Sequence, residues 1–598
     1  MSSTVQHEVR GEVVGWGTVG AAWAEPEARG AARLILDALG AAGVQSAFGV
    51  LGGGIAPFAA GLGHSPIRFF HFRHEAGAGF AAIESYFETG RPGVVVVTTG
   101  PGLFNVLNAA MAARVDGAKL VVISGFTSRH QAGRGAVQET TLHSMPAELT
   151  RPGSLFHDVA IPETEAELVN ALARIQRGLA APGGFVAHLG LPLALQTQAF
   201  PRIATSENHN DVGTMKAHGP RWSFAPAAPA PAAVQACLDA LADPTAVLWV
   251  GHGALRAHAE LLRFAEAAHL PVVSSPRAKG VFPEQHPLFI GVSGAGGSPA
   301  VRQWFVAHRP EQVLVVGSRL GEVTSFLAQD LVPAEGWIHV DIDPTAFGAA
   351  FPEPRGLGIV ADATQFFEAL HARAEATGWY ARRVAGPQPA PRPADVWAPQ
   401  VGDVRPPYLM QCIQAQVVAG SDALIMSEAG TSFTWCNAHL QFATPGRYRT
   451  SAAWGSMGHF TTGCVGAALA ARRRVVAVVG DGAMLMNNEI NTAVQYGADV
   501  VWIVLNDAQL GLNEHGMTAL GMRPVETQMP RTDFVAFARA QGADGLAVDS
   551  ELAVVAALEV ALKRRGPFLL DVRVDRSIAS PVVADRIRSL KRQAGGAA

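Results

Sequence analysis

Four cysteines in 598 residues are too few for a disulfide framework. Cys237, Cys412, Cys436 and Cys464 share no metal-ligand spacing, so they read as thiols of a reducing compartment. Charge is also scarce: Asp, Glu, Lys and Arg make up 16% of the chain, and the net charge is −4. That balance gives no indication of a nucleic-acid surface. No apolar run reaches about 18 residues without a charge or a breaker, so no membrane span is expected. The start of the chain lacks the basic region and apolar core of a signal peptide. The expectation is a cytoplasmic protein with neither nucleic acid nor membrane as partner.

What the chain has instead is alternation. Its length exceeds one hydrophobic core, and three or four domains is the prior. With 49% hydrophobic residues it is globular and not disordered. Residues 1–26 have no clear periodicity and read as an N-terminal extension. From Ala31 the pattern is regular: helix from Ala31 to Ala42, strand from Ser46 to Val50, strand from Ile67 to Phe70, helix from His74 to Phe87. A strand from Val94 to Thr98, a helix from Leu103 to Arg114 and a strand from Leu120 to Ser124 follow. Such alternation means a parallel sheet with helices on both faces. Two stretches interrupt it. Residues 201–230, with an Ala- and Pro-rich run from Phe224, and residues 382–405, with Gly386-Pro387-Gln388-Pro389, read as linkers. The expected architecture is α/β: three doubly wound parallel-sheet domains over residues 27–200, 231–381 and 406–585, then a solvated tail at 586–598.

The third block carries the most specific stretch, Val475 to Gly511. Val475 to Val479 is a buried-strand pattern, Gly480-Asp481-Gly482 breaks it, Leu485 to Tyr496 has helical character, and Val500 to Leu505 is a second buried strand closed by Asn506-Asp507. Strand, glycine turn, helix and strand make a βαβ unit. The unit sets Asp481 and Asp507 at the carboxyl ends of parallel strands, where open α/β sheets bind ligands. Glycines let backbone approach a ligand, and the following helix offers free N–H groups to phosphate. Two carboxylates would repel that phosphate unless a cation lay between them, and Mg²⁺ suits the task. A plain tight turn is the other reading of Gly-Asp-Gly alone.

This stretch resembles the diphosphate motif of thiamine diphosphate enzymes, in which Gly-Asp-Gly is followed some two dozen residues later by Asn-Asn. Here the second Asn is Asp507, which keeps an oxygen ligand and adds a charge. The resemblance implies that Asp481, Asp507 and the backbone carbonyl of Gln509 hold Mg²⁺. It also implies that Gly480, Gly482, Ala483, Leu510 and Gly511 line the cofactor. Motifs in the other blocks extend it over nearly the whole chain after residue 27, in the domain order of the acetolactate synthase-like family: pyrimidine-binding, central, diphosphate-binding. Glu75, in His71-Phe72-Arg73-His74-Glu75 before Gly100-Pro101-Gly102-Leu103-Phe104-Asn105, matches the family's glutamate on the aminopyrimidine N1′. Read alone, it is an acid favoured by a helix N-terminus. Trp454-Gly455-Ser456-Met457-Gly458 resembles the segment that bends the cofactor into a V. Met457 is then the wedge and the Gly455 carbonyl the acceptor for the 4′-amino group, although a Met among small residues also reads as core.

By the same resemblance the turn Ser427 to Ser432 lies over the cofactor, with Gly430 in the turn and Thr431 or Ser432 at the diphosphate. Gln138 is expected to reach the active site, with His143 nearby, and Asn513, Glu514 and His515 to face substrate. Phe104, Met484, Leu510, Leu512 and Trp435 read either as an apolar wall or as core. Arg319 matches a residue of the central-domain FAD or nucleotide site of some relatives, but Gly294-Ala295-Gly296-Gly297 departs from their pattern, so FAD is left open.

The implied activity is a thiamine diphosphate- and Mg²⁺-dependent carboligase. It decarboxylates a 2-oxo acid and joins the acyl unit to a second carbonyl compound, as an acyloin or acetohydroxyacid synthase does. The alternatives are a simple decarboxylase releasing an aldehyde and a non-catalytic paralogue. Simple decarboxylases of the family carry adjacent histidines in the first domain; between Asp116 and Glu148 stand only His130 and His143, far apart. The resemblance further implies a homodimer or homotetramer with thiamine diphosphate at the subunit interface, and Glu75, Gln138 and Asn513 as its catalytic residues.

Overall fold

The computed structural model describes residues 30–140, 154–200, 222–390, 396–583 and 587. The expected N-terminal extension, His143, most of the first linker and nearly all of the tail lie outside the described residues.

Among the described residues eighteen strands form three six-stranded sheets. In the first, β1 (Ser46–Val50), β2 (Arg68–His71), β3 (Gly93–Val97), β4 (Lys119–Phe126), β5 (Asp158–Ala160) and β6 (Phe185–Pro192) lie in the order β2-β1-β3-β4-β6-β5. The central sheet has β7 (Val247–Val250), β8 (Val272–Ser274), β9 (Phe289–Val292), β10 (Gln312–Val316), β11 (Gly336–Asp341) and β12 (Gly356–Val360) in the order β12-β11-β10-β7-β8-β9. The last has β13 (Leu424–Ser427), β14 (Tyr448–Thr450), β15 (Val475–Gly480), β16 (Val500–Asn506), β17 (Asp544–Val548) and β18 (Phe568–Arg573) in the order β14-β13-β15-β16-β18-β17. The first and last sheets therefore share one topology, strand for strand. All strand pairs are parallel, as the β/α alternation requires.

The first and last domains also share a core. The Glu75–Thr89 helix lies against the His459–Ala471 helix, and Phe80 and Ala81 join Phe460, Cys464 and Val465 in one buried cluster. Glycine makes the approach close: a Cβ on Gly466 would stand 2.3 Å from the Ala81 carbonyl oxygen. A buried ionic network fixes the three domains at one junction. Arg449 donates to both oxygens of Glu84 at 2.9 and 2.7 Å, and the His459 ring stands 2.9 Å from Glu84. Asp116 lies 3.7 Å from Arg449 and 3.4 Å from Arg277 of the central domain. Burial alone would raise the Glu84 carboxyl, but Arg449 and the His459 contact hold it at about 2.

The expected helix from Leu485 to Tyr496 is two helices, Asp481–Met486 and Ile490–Tyr496. Asn487 and Glu489 leave the helical region between them, at φ −156° and −129°. The physical reason is a contact outside the segment: the Glu489 carboxylate is drawn onto backbone N–H groups of the first domain. β5, β6, β9, β12, β14, β17 and β18 have no counterpart in the periodicity reading; five of them are edge strands that are short or only partly buried, whereas β6 and β18 are buried inner strands.

Candidate active site

β15 and β16 pair in parallel with Gly480 opposite Leu505, which brings Asp481 and Asp507 to neighbouring strand ends. Asp481 accepts the N–H of Gly482 on one oxygen and of Ala508 on the other, both at 2.7 Å. Asp507 accepts from the Gln509 N–H at 3.3 Å and from the Gln509 side-chain amide at 3.4 Å. Burial, then the Asp507 charge, pushes the Asp481 carboxyl up to about 7, and burial raises Asp507 as well. The loop after β16 is anchored by the Leu510 N–H on the Thr527 carbonyl and the Met529 N–H on the Ala508 carbonyl, both at 2.8 Å.

Two glycines mark where other elements close on this pair. A Cβ at Gly482 would stand 3.1 Å from a Leu510 methyl and 3.3 Å from the Met457 methyl. A Cβ at Gly511 would stand 2.9 Å from an Asp507 oxygen and 3.5 Å from the Thr431 methyl. Met457, Leu510 and Thr431 thus gather around the Asp481–Asp507 pair. Gly430 takes φ 101° at the start of the Thr431–His439 helix. Ser432 is fully buried and its hydroxyl donates to the Glu428 carbonyl, so Thr431 is the residue of the two that faces Gly511. Gly455, at φ 68°, and Ser456 belong to an exposed to half-buried loop before Met457. Asn108 pins that loop, donating to the Ser456 hydroxyl and accepting the Trp454 indole N–H, each at 2.8 Å. Ala483 is buried in the first turn after Asp481.

In the first domain Glu75 opens its helix and is half-buried. The Asn105 amide donates to its carboxylate at 3.0 Å, and a Cβ at Gly102 would stand 3.5 Å from the other oxygen. Gln138 sits at φ 55° on an exposed loop that crosses the Gly100 turn; a Cβ on Gly100 would meet the Gln138 carbonyl at 3.0 Å. The structure therefore brings Glu75, Asn105 and Gln138 to one helix start. Asn513 is exposed in the first turn of the Gly511–Ala519 helix. Glu514 accepts the Thr527 hydroxyl, and His515 lies 2.9 Å from the Arg576 carbonyl. Of the five apolar wall residues, Met484 and Trp435 belong to the core clusters, whereas Phe104 is 46% exposed and Leu510 and Leu512 are half-buried.

Sequence reasoning missed Glu428, Asn105, Asn108 and Glu489. Glu428 is fully buried and its carboxylate accepts the N–H groups of Ala429, Phe460 and Thr461, which locks the turn over Asp507 to the helix after Met457. A carboxylate directly after a buried strand was the available signal.

The donor set of Asp481, Asp507 and the Gln509 carbonyl is all oxygen and carries two charges, which fits Mg²⁺ and leaves positions for phosphate oxygens and water. Among the described residues no three His, Cys, Asp or Glu side chains converge on one metal position. Space for a cofactor's phosphates beside that set lies at Gly480 and Gly430, where a Cβ would meet nothing within 4 Å.

The central sheet changes direction between β10 and β7, the usual ligand crevice of such sheets. Here its rim holds the first domain. Arg277 donates twice to the Asp116 carbonyl at 3.2 Å, and Arg319 donates to the Val115 carbonyl and to Asp343 at 3.4 Å. Both cations thus cap the C-terminal end of the Pro101–Asp116 helix. His252 packs edge-on against Phe87 at 5.6 Å. Among the described residues no helix is long and apolar enough to cross a membrane.

Three family models match the chain in order. Residues 29–145 match the N-terminal TPP binding domain of thiamine pyrophosphate enzymes, residues 234–370 their central domain, and residues 428–572 their C-terminal TPP binding domain. Among curated proteins, a putative acetolactate synthase large subunit of Mycobacterium tuberculosis is 29% identical over 521 residues, covering 85% of this chain and 91% of that one. The acetolactate synthase isozyme 1 large subunit of Escherichia coli is 28% identical over 553 residues, covering 91% and 94%. A putative thiamine pyrophosphate-containing protein of Bacillus subtilis is 26% identical over 551 residues, covering 89% of each chain.

Proposed function

The chain belongs to the thiamine pyrophosphate enzymes, its three domains matching theirs in order, and from that premise we propose a thiamine diphosphate- and Mg²⁺-dependent carboligase of the acetolactate synthase type. It decarboxylates a 2-oxo acid and joins the acyl unit to a second carbonyl compound. The observation that carries the reading is the gathering of Met457, Thr431 and Leu510 around the Asp481–Asp507 pair.

Asp481, Asp507 and the Gln509 carbonyl would hold Mg²⁺, and Gly480, Gly482, Ala483 and Gly511 would flank the diphosphate. Met457, Gly455, Ser456 and the Gly430–Thr431 turn would receive the remainder of the cofactor. When bound, thiamine diphosphate supplies a carbon nucleophile that stabilises the charge left by loss of CO₂. The chain's own part is to set geometry and protons. Glu75 holds a proton at the aminopyrimidine N1′, and Asn105 aims its carboxylate. Met457, whose methyl lies beside Gly482, would support the bound cofactor, and proximity would supply much of the gain.

Joining carbons, not releasing aldehyde, requires few proton donors above the reacting carbon. Asn513 carries an amide and Gln138 is likewise uncharged, while the neighbouring Glu514 is engaged by the Thr527 hydroxyl. His130 is exposed and stands 2.9 Å from the Ser128 hydroxyl. Phe104, Leu510 and Leu512 offer apolar surface that favours loss of a charged carboxylate.

The functional unit in this reading is at least a homodimer, with Glu75 of one subunit and Asp481 of the other on one cofactor. Support comes from Phe104, Val137, Leu485 and Met486, large apolar side chains 44–90% exposed near these residues. Arg319, matched above to a flavin or nucleotide site, donates to the Val115 carbonyl of the first domain and to Asp343 of its own.

The test is product analysis after incubation with Mg²⁺, thiamine diphosphate and single or paired 2-oxo acids. Release of CO₂ with a hydroxyketone is expected. Stoichiometric aldehyde with no hydroxyketone under any pairing would favour the simple decarboxylase.

A further inference from the structure

Glu489 is a fully buried carboxylate that the proposed reaction does not use. It stands in the break between the Asp481–Met486 and Ile490–Tyr496 helices of the third domain and reaches into the first. One oxygen accepts the N–H groups of Arg73 and His74, at 3.1 and 3.0 Å. The other accepts the Arg73 N–H at 3.0 Å and the Thr492 hydroxyl.

Arg73 and His74 are the two residues before Glu75, and His74 is the N-cap of the Glu75 helix. N–H groups at a helix start have no partner within the helix. Here the His74 imidazole takes the Ala76 N–H at 3.1 Å, and Glu489 takes those just outside. Neighbouring contacts tie the same connector to the same segment. The Arg73 guanidinium donates to Asn491 at 2.8 Å and to Gln495 at 2.6 Å, and the His71 N–H donates to the Tyr496 hydroxyl at 2.8 Å. Space is reserved for the carboxylate: a Cβ on Gly77 would stand 2.8 Å from a Glu489 oxygen.

We infer that Glu489 is a positioning residue for Glu75, holding the start of its helix so that the Glu75 carboxyl meets the aminopyrimidine. The inference rests on the function proposed above. It assigns Glu489 no contact with substrate or cofactor. Burial raises its carboxyl, and an amide of the same shape keeps one oxygen to accept the Arg73 and His74 N–H groups, so Glu489→Gln is the conservative replacement.

The experiment uses full-length protein loaded with Mg²⁺ and thiamine diphosphate and reads hydrogen–deuterium exchange at the cofactor C2. Glu489→Ala should slow that exchange roughly 10- to 100-fold with cofactor affinity kept, as a small misplacement of a catalytic group does. Glu489→Gln should restore most of the rate. Glu75→Gln combined with Glu489→Ala should exchange no more slowly than Glu75→Gln alone, because the two act as one unit. In cofactor-free protein, backbone amide exchange at Arg73 and His74 should speed up in Glu489→Ala. Unmodified C2 exchange in Glu489→Ala, or additive losses in the double variant, overturns the inference and leaves Glu75 in its role. Unmodified exchange in Glu75→Gln itself overturns the functional reading beneath it.

Discussion

Asp481 and Asp507 show how a site can be arranged for a cation by charge alone. Burial raises the cost of ionising both, the Asp507 charge adds to it at Asp481, and neighbouring N–H groups relieve part of it, so a positive partner is favoured. Asp507→Asn should therefore weaken the site mildly, since an amide oxygen still coordinates, and calorimetry of Mg²⁺–thiamine diphosphate binding checks it. The pH dependence follows from the same pair. The Asp481 carboxyl, raised from 3.8 to about 7, must lose its proton to take the metal. Cofactor affinity should fall as pH drops below about 7. The stability of the cofactor-free protein has the opposite sense. A carboxyl raised in the folded state binds protons there that the unfolded chain has released, so this contribution is lost as pH rises from about 4 to 7. Thermal melts with and without Mg²⁺–thiamine diphosphate across that window should separate the two trends.

Elements explain what could be read in the chain and what could not. The buried strands Val475–Gly480 and Val500–Asn506 were legible because β-branched runs bounded by glycine and Asn-Asp have few other readings. The Glu75 and Pro101–Asp116 helices were legible to within a residue or two at their ends. The break at Asn487–Glu489 was not, since local periodicity carries no record of a partner more than 400 positions away, at Arg73. Glu428 was passed over for a related reason: its partners, the Phe460 and Thr461 N–H groups, stand more than 30 residues on. Gly466 leaves no room for a side chain between the two helices that join the outer domains. Gly466→Val should shift the melting midpoint downward, costing about 1–3 kcal/mol or more because the neighbouring atom is backbone and cannot swing aside.

At the scale of the molecule, three α/β domains meet at Glu84, Arg449, His459, Asp116 and Arg277. Glu84→Gln should destabilise the protein by roughly 3–5 kcal/mol in denaturant titration, because the Arg449 charge is then left buried without its main partner. The Glu84 carboxyl is held at about 2, below its usual 4.5, so its stabilisation is complete above about pH 4.5 and fades as pH falls toward 2. The assembly has its own test. If one cofactor takes Glu75 and Asp481 from different subunits, mixing Glu75→Gln with Asp481→Ala subunits should regenerate part of the activity that each lacks; a fully active monomer in sedimentation would rule that arrangement out. The claim on which the rest depends is the clamp at the ends of β15 and β16. Calorimetric titration of thiamine diphosphate into the protein with Mg²⁺ present should give stoichiometric binding, and into Asp481→Ala none; equal affinity in both would contradict it.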